Sequence, residues 1–370
     1  MYIFLTFLLY ISIILILPYL VDVSLKQKKS IKLVALTFIS IFCAFIAAFR
    51  GNSGTDTSMY RTLYEFGEMS ILRWVKIEPG YMILNNFFKN LGFSSNIFLG
   101  FLSFLTTFFI LQSINLEKEK INVYISSLVY FSTLYFQSFN IVRQALAVSI
   151  CLFAMLLYLN NNKLIGIIFI ILAALIHRSA ILCLFIIVAK FIFERKNSKL
   201  IFYISLMLLL FLVLDRNLFG KIILVITGSQ YYAGYVLRDS GSKGSFLLYY
   251  LKLLPVLFIS FLEIKNYKKN QSINVMFILM LFGYILSSIG VFTSTDINRL
   301  GLYFSSCNIV IMGYCANTNI NIKGTYISKN VLATIIMLYF ILSFIIETFV
   351  MGYYEIVPYH NMNIIYTPFM

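Results

Sequence analysis

Charged side chains are scarce in this sequence of 370 residues, since Asp, Glu, Lys and Arg together make up 12% of it. Hydrophobic residues account for 61%. So little polar surface cannot cover a water-soluble globule, which excludes an ordinary soluble protein. The composition therefore predicts an integral membrane protein.

Histidine and cysteine are also rare, with two and five copies. The cysteines all fall inside apolar runs without the CxxC or Cys/His spacing of zinc sites, so we expect buried packing residues. Carboxylates with metal-ligand spacing are lacking, and no P-loop, dinucleotide fingerprint or nucleic-acid module is present. The sequence thus predicts no metal, no soluble cofactor and no nucleic-acid partner.

Long apolar runs are abundant. Runs of about eighteen residues or more are long enough to cross roughly 30 Å of hydrocarbon as helices, and the short alternating segments of a β-barrel are lacking. We predict an all-α, polytopic transmembrane protein, one membrane domain over residues 1–370 with about twelve spans. The predicted spans are residues 2–21, 31–49, 94–114, 121–138, 145–160, 163–177, 179–193, 200–214, 246–262, 273–292, 299–316 and 331–349.

Lysine in the short connections sets the orientation. Fourteen of the twenty lysines fall in six connections that alternate correctly, which predicts that these connections are cytoplasmic. Both termini and the polar segments 50–93 and 215–245 are then outside, which is the periplasmic side in a bacterial inner membrane.

Arginine has the opposite distribution. Eight of nine arginines fall on the predicted outer side, although the positive-inside effect should deplete positive charge of either type there. The net charge of +15 therefore has two separate causes and does not indicate nucleic-acid binding. Arginines retained outside indicate an anionic ligand on that side.

The segment from Arg50 to Tyr81 is the first long polar interruption between apolar runs. Residues 54–56 predict the entry to a helix that carries Asp56 and Tyr60 on one face. Arg50 follows a span directly, where its guanidinium could reach a phosphate or an internal carboxylate, and position alone does not choose between them. A solvated loop is the alternative. The candidate site residues here are Arg50, Asp56, Tyr60, Glu78 and Tyr81.

Three further outer helix junctions carry candidate residues. Arg143 and Gln144 adjoin a helix start and could present donors to an anion, or Arg143 could only fix the depth of its span. His177 ends a span, where a histidine is either a hydrogen-bonded structural residue or a base. Arg299 lies one helical turn after Asp296, and the two could pair with each other.

Tyrosines cluster in the outer segment QYYAGYV, residues 230–236. Aromatic residues at membrane boundaries usually form interfacial belts, but tyrosines above a membrane pocket also stack on sugar rings. Tyr231 and Tyr232 are therefore candidate substrate contacts.

The order of these motifs resembles the EpsG family of polysaccharide polymerases, relatives of the bacterial O-antigen polymerase Wzy. The resemblance covers nearly the whole chain and rests on Arg50, Gly54-Thr55-Asp56, Tyr60, Glu78, Gly80-Tyr81, Asn140, Arg143-Gln144, His177, Ser179-Ala180, Arg299 and Val357-Pro358-Tyr359. It implies a multi-pass enzyme of broadly GT-C type in the bacterial inner membrane. Such an enzyme joins repeat units carried on undecaprenyl diphosphate at the periplasmic face.

The residues and the resemblance suggest one mechanism. Arg50, Arg143 and Arg299 would bind the diphosphate of a lipid-linked donor, and His177 or Asp56 would accept the proton of the attacking hydroxyl of a lipid-linked acceptor. Direct displacement would invert the anomeric centre without a metal ion. The expected partners are the two lipid-linked substrates and the bilayer, with a chain-length regulator as a further candidate.

Two alternatives share this membrane and substrate. A flippase for the same lipid-linked units has about as many spans, but it would need charges deep within the spans, and only Lys190 and Lys252 are plausible examples. An O-antigen ligase uses the same donor at the same face and differs in its acceptor.

Overall fold

A computed structural model describes residues 2–67, 77–194, 270–293, 295–322 and 325–359, together with residues 221, 225 and 256. Thirteen α-helices of at least eight residues are found in these ranges. They are α1 (Tyr2–Leu25), α2 (Lys29–Ala48), α3 (Thr57–Phe66), α4 (Pro79–Asn90), α5 (Ser95–Glu117), α6 (Val123–Tyr130), α7 (Val142–Leu159), α8 (Lys163–Ile176), α9 (Phe185–Glu194), α10 (Gln271–Thr293), α11 (Thr295–Ser305), α12 (Asn308–Cys315) and α13 (Lys329–Ile345).

Within the described ranges, five helices are long and apolar enough to cross a membrane. They are α1, α2, α5, α7 and α13 with its π-helical continuation to Val350. Three shorter apolar segments are Val123–Tyr135, Lys163–Ile176 and Gln271–Ser287. The chain is therefore an integral membrane protein. The predicted spans 200–214 and 246–262 lie outside the described residues, so the total of twelve stays a prediction.

The observed elements differ from the predicted ones in three places. The predicted span 299–316 is two helices, because α11 ends at Ser305 and α12 begins at Asn308, whose amide Nδ2 donates to the Tyr284 hydroxyl at 2.9 Å. The predicted span 179–193 begins as a 3-10 helix, Arg178–Leu184, before α9. A short antiparallel hairpin, β1 (Ile320–Ile322) with β2 (Thr325–Ile327), was not predicted.

Polar residues fix the starts of several membrane helices. The side chains of Ser94, Asn122 and Ser328 each accept a hydrogen bond from a backbone N–H in the first turn of α5, α6 and α13. Such caps satisfy N–H groups that the helix itself leaves without a partner. Unsatisfied donors are especially costly near hydrocarbon, so these caps help to define where each helix begins.

The chain forms two compact units. The first comprises Met1–Phe153, Leu175–His177 and Met312–Met370, and α2 packs along α5 within it. The second comprises Ala154–Ala174 and Arg178–Ile311.

Close packing of α10 on α11 organises the second unit. Gly283 and Gly301 face each other across this contact, and a Cβ added at Gly301 would lie 2.4 Å from the Gly283 carbonyl oxygen and 2.0 Å from the Ser287 hydroxyl. Small residues let membrane helices approach closely enough for backbone contacts. The α10–α11 contact therefore requires glycine at position 301.

We expect Gly301→Ala to lower the stability of the protein, because the new methyl group would overlap backbone atoms that cannot move independently. Overpacking of this kind costs about 1–3 kcal/mol. Thermal unfolding in detergent, followed by size-exclusion chromatography, measures the change. Leu172→Ala, at an exposed position of α8 in the same unit, is the control and should leave the transition nearly unchanged. Equal stability of Gly301→Ala and the unsubstituted protein would contradict the packing described here.

Candidate active site

Arg50 lies two residues after the end of α2, and its side chain is only 2% exposed. The guanidinium carbon stands 4.8 Å from the ring centroid of Phe139, in a cation–π contact. Its Nε and Nη2 atoms are buried and have no hydrogen-bond partner among the described residues. The same part of the chain also places no carboxylate within 4 Å of Arg50. The sequence left open whether Arg50 contacts a phosphate or an internal carboxylate. The described residues show no carboxylate in contact with it.

The electrostatic surroundings of Arg50 are unusual for a buried cation. Burial lowers the pKa of its guanidinium to about 10, and the positive charge of Arg61 acts in the same direction. The hydroxyl groups of Tyr135, Tyr60 and Tyr10 oppose this shift. A pKa near 10 still leaves Arg50 cationic at neutral pH.

Arg61 is attached to the loop that follows Arg50. Its Nη2 donates to the carbonyl oxygen of Gly51 at 2.6 Å, and its Nη1 donates to the Asn52 Oδ1 atom at 2.7 Å. Both of these acceptors are uncharged, so they position the guanidinium without neutralising it. The loop therefore brings two positive charges close together.

Arg143 has a carboxylate partner. Its Nη1 donates to Glu78 Oε2 at 2.6 Å, in an ion pair whose carboxylate side chain is 1% exposed. The guanidinium carbon also lies 5.4 Å from the ring centroid of Tyr81 and 6.0 Å from that of Tyr60. The Arg143 Nε and the Tyr81 hydroxyl are buried without a hydrogen-bond partner in the described part of the chain. The Arg143 surroundings thus combine a satisfied ion pair with two unused polar groups.

Two structural features explain this arrangement around Arg143. Glu78 is the residue just before α4, where Pro79 occupies the first helical position and the backbone is extended. Tyr81, three residues later, lies on the same side of that first turn, so both side chains reach Arg143 at the start of α7. Burial and the neighbouring Tyr60 raise the pKa of Tyr81 above its usual value, so its hydroxyl stays protonated.

Tyr60 connects the two arginines. It projects from α3, is 4% exposed, faces the Arg143 guanidinium and contributes to the electrostatic environment of Arg50. Five predicted site residues are therefore brought together in the first unit. They are Arg50, Tyr60, Glu78, Tyr81 and Arg143.

The C-terminal segment 352–359 is attached to this site by hydrogen bonds. The Glu355 carbonyl accepts from the Gly54 N–H at 2.9 Å, and the Tyr354 carbonyl accepts from the Thr55 N–H at 3.3 Å and the Asn140 Nδ2 at 3.0 Å. These contacts connect the loop after α2, the start of α7 and the end of the chain. They fix the loop that carries Arg50.

Tyr359 extends this attachment toward Arg50. Its hydroxyl donates to the Ile46 carbonyl at 2.8 Å, and its N–H donates to the Thr6 hydroxyl at 2.9 Å. Burial raises the pKa of Tyr359 to about 12, and the nearby Arg50 charge opposes that shift. Tyr359 is therefore part of the wall around the guanidinium.

The other predicted site residues have varied positions. Asp56 is partly exposed at the entry to α3, where its Oδ1 accepts from the Thr55 hydroxyl at 3.3 Å, and Gln144 is buried beside Arg143. His177 follows the end of α8 and belongs to the first unit, two residues after Leu175, whose carbonyl lies 2.7 Å from where a Cβ at Gly80 would stand.

Arg299 is exposed on α11 of the second unit, so the structure does not relate it to Arg50 or Arg143. Tyr231 and Tyr232 lie outside the described residues, and so does the side chain of Asp296.

Sequence reasoning did not assign a role at the site to Arg61, Phe139, Asn140 or Tyr359. Asn140 and Tyr359 belong to the motifs on which the resemblance to the EpsG family rests, so those motifs could have indicated a role at the site. Phe139 looks like any other aromatic residue at a boundary. Arg61 was counted among the outer arginines, but its closeness to Arg50 depends on the turn at residues 51–54.

A second polar feature lies in the second unit. A cavity of about 350 Å³ is lined by Leu159, Asn160, Asn161, Lys190, Gln271 and Ser272. Lys190 is 7% exposed, and its Nζ lies 3.5 Å from the Tyr158 carbonyl and 5.4 Å from the Tyr158 ring centroid. Leu159 ends α7 and Gln271 begins α10, so Lys190 lies at the level of helix ends rather than in the middle of the spans.

The described ranges contain no cluster of three His, Cys, Asp or Glu side chains that could hold a metal ion. The site atoms of Arg50, Arg143 and Tyr81 that lack a hydrogen-bond partner among the described residues are cationic or phenolic donors, which suit an anionic ligand rather than a cation. Metal independence itself stays a prediction.

Fold and site together define a helical, multi-pass integral membrane protein with buried arginines gathered at helix ends. A family model described as the EpsG family matches residues 33–361, nearly the whole chain. The chain therefore belongs to the EpsG family, a family of Wzy-like polysaccharide polymerases, as the sequence motifs predicted. No curated protein and no solved structure matches it significantly.

Gly54 is the position on which the attachment of the C-terminal segment depends. Its φ is +104°, and an added Cβ would stand 2.8 Å from Asn140 Oδ1 and 3.2 Å from the Phe139 carbonyl oxygen. We expect Gly54→Ala to displace the Arg50 loop and to lower stability by about 1–3 kcal/mol, measured by thermal unfolding.

Gly67→Ala is the matched control for this prediction. Gly67 also has a positive φ of +70°, but nothing lies within 4 Å of an added Cβ, so it shares the backbone strain without the overlap. A fall in stability that is no larger for Gly54→Ala than for Gly67→Ala would contradict the role assigned to the contact with Asn140.

Proposed function

We propose that this protein joins repeat units carried on undecaprenyl diphosphate into a polysaccharide, such as O-antigen, at the periplasmic face of the bacterial inner membrane. The donor is the growing glycan on its lipid, and the acceptor is the incoming lipid-linked unit. Membership of the EpsG family supports polymerisation. The charge distribution at the candidate site supports a lipid diphosphate as the group that is recognised.

The observation that carries this proposal is the buried Arg50 guanidinium, two of whose N–H-bearing nitrogens lack acceptors among the described residues. A buried charged donor without a partner costs several kcal/mol, and a cation beside a second cation costs more. A diphosphate would supply both the acceptors and the opposite charge. Binding it would therefore convert an unfavourable feature of the protein into a favourable one.

The reaction follows from this placement of charge. A hydroxyl of the acceptor attacks the anomeric carbon of the donor, and the lipid diphosphate leaves with its electron pair. Arg50 stabilises the negative charge that develops on the leaving group, as donors aimed at developing charge do in other enzymes. Direct displacement of this kind inverts the anomeric centre. The guanidinium groups supply the positive charge that a metal ion supplies in other enzymes.

Other predicted residues have supporting roles in this proposal. Arg143 offers to the substrate its Nε, which has no hydrogen-bond partner in the described part of the chain, and Arg299 is a candidate phosphate contact. Tyr231 and Tyr232 are candidate contacts for sugar rings. His177 or Asp56 is the proton acceptor that the sequence suggests.

Glycolipid analysis of a deletion strain tests the proposed function. Loss of a polymerase leaves lipid A core with a single repeat. Loss of a flippase leaves almost no repeats at the surface, and loss of a ligase leaves long chains on undecaprenyl diphosphate. We expect the single-repeat pattern, and either of the other two patterns would overturn the assignment.

Lys190 lies beside the end of α7 and the start of α10, which argues against the flippase, because a flippase would need charge deep within the spans.

Arg50→Ala should remove the long-chain ladder while the protein still inserts at a normal level. Removing one charge-stabilising donor typically lowers the rate by about 100-fold or more. Arg50→Lys should fail as well, because a point charge on a flexible stem does not reproduce the planar set of donors. Gel analysis of surface glycan in a complemented deletion strain is the measurement.

Lys29→Ala is the control for the loss of a positive charge, since Lys29 is exposed at the start of α2. It should leave the ladder intact. A full ladder in cells that carry Arg50→Ala would remove Arg50 from the mechanism and the diphosphate site with it.

A further inference from the structure

The charges at the candidate active site form two groups with different net charge. Arg50 and Arg61 are both cationic, and two hydrogen bonds of Arg61 go to the uncharged Gly51 carbonyl and Asn52 amide. In the described part of the chain no carboxylate lies within 4 Å of Arg50. The group around Arg143 also contains the Glu78 carboxylate, at 2.6 Å. The first group is therefore positive, and the second is neutral overall.

A difference in net charge selects between ligand groups. A diphosphate is attracted to the positive side, but beside Glu78 its oxygens would meet a like charge in a buried site, where charge repulsion is poorly screened. A sugar hydroxyl carries no charge and meets no such repulsion. It can also donate a hydrogen bond to a carboxylate. The Glu78 side of the site thus fits the attacking hydroxyl rather than the leaving group.

We propose that Glu78 is the catalytic residue that accepts the proton of the attacking hydroxyl, and that Arg143 is the positioning residue that holds Glu78 in place. This inference rests on the proposed function. The Arg143 Nη1 contacts one carboxylate oxygen, Oε2, and the guanidinium is itself held over the Tyr81 ring. The carboxylate is therefore oriented by a group whose own position is fixed by an aromatic ring.

The proposed step conserves atoms and electrons. The acceptor O–H bond breaks, and its proton goes to the Glu78 carboxylate while the oxygen forms a bond to the anomeric carbon of the donor. The bond between that carbon and the phosphate oxygen breaks, and its electron pair leaves with the diphosphate on the Arg50 side. The protonated Glu78 then loses its proton to water when the products leave.

Glu78 differs from the two acceptors that the sequence suggested. The Asp56 carboxylate is partly exposed at the entry to α3, and its hydrogen bond is with the neighbouring Thr55 hydroxyl. His177 follows the end of α8, close to Leu175, which packs against α4 at Gly80. Glu78 is the carboxylate that an arginine orients, and its 1% exposure keeps bulk water away from the acceptor hydroxyl.

Two measurements on Glu78→Gln test the proposal. Membrane vesicles that contain the variant are supplied with the lipid fraction of a strain lacking this protein, and chain elongation is followed on gels. The purified variant in nanodiscs is then titrated with undecaprenyl diphosphate. Glutamine keeps the size and one acceptor oxygen of glutamate but cannot take the proton. We expect elongation to fall by about 100- to 10,000-fold, as for loss of a general base, and diphosphate binding to be unchanged.

Two further variants keep the test decisive. Glu78→Asp retains the negative charge beside Arg143, so it should insert normally, bind undecaprenyl diphosphate and elongate slowly, because the shorter side chain withdraws the carboxylate. Glu119→Gln makes the same change as Glu78→Gln at an exposed position and should elongate normally. Asp56→Asn and His177→Gln are made in parallel, and each should lose less elongation than Glu78→Gln.

Several outcomes would overturn the assignment of Glu78. The first is normal elongation by Glu78→Gln or Glu78→Asp. The second is a loss of diphosphate binding by Glu78→Gln as large as that of Arg50→Ala. The third is a loss of elongation in Asp56→Asn or His177→Gln while Glu78→Gln elongates normally. The proposed function fails by a different result, which is normal binding and elongation by Arg50→Ala.

Discussion

The burial of a guanidinium at the end of a membrane helix is the constraint on which the rest of the first unit depends. Arg50 is 2% exposed, and buried donors without acceptors are costly. The atoms that hold it come from distant parts of the chain, including the Phe139 ring before α7, Tyr60 on α3 and Tyr359 near the C terminus. Because no single segment could position this charge alone, the site forms only when the whole unit is folded.

The two buried arginines differ because of where the helices begin. Arg143 is in the first turn of α7, where the positive end of the helix dipole disfavours a cation. Glu78 precedes α4, where the same effect favours an anion. Their ion pair thus offsets an unfavourable position of Arg143 with a favourable position of Glu78. Arg50 follows the end of α2, a position that favours a cation, so its charge remains available for a ligand.

The sequence predicted much of the membrane-spanning framework, because long apolar runs report directly on helices that cross hydrocarbon. It also named five residues that the structure brings together, because they fall in polar segments next to the ends of apolar runs. The Glu78–Arg143 pair, 65 residues apart, could not be predicted, because periodicity carries no information on which helix ends meet. The break between Ser305 and Asn308 was missed as well, although the polar residues Ser305, Ser306 and Asn308 interrupt the apolar run there.

The C-terminal segment shows how the loop after α2 obtains a defined shape. Tyr354 and Glu355 adopt positive φ angles of 69° and 50°, which cost about 1–2 kcal/mol each for residues other than glycine. In this conformation their carbonyls accept hydrogen bonds from Gly54, Thr55 and Asn140, which return about 1 kcal/mol each. The strain in one segment is thus offset by contacts with the other. Because those contacts use backbone groups and an amide, they hold the Arg50 loop without placing a carboxylate beside it, and the positive charge is left for a ligand.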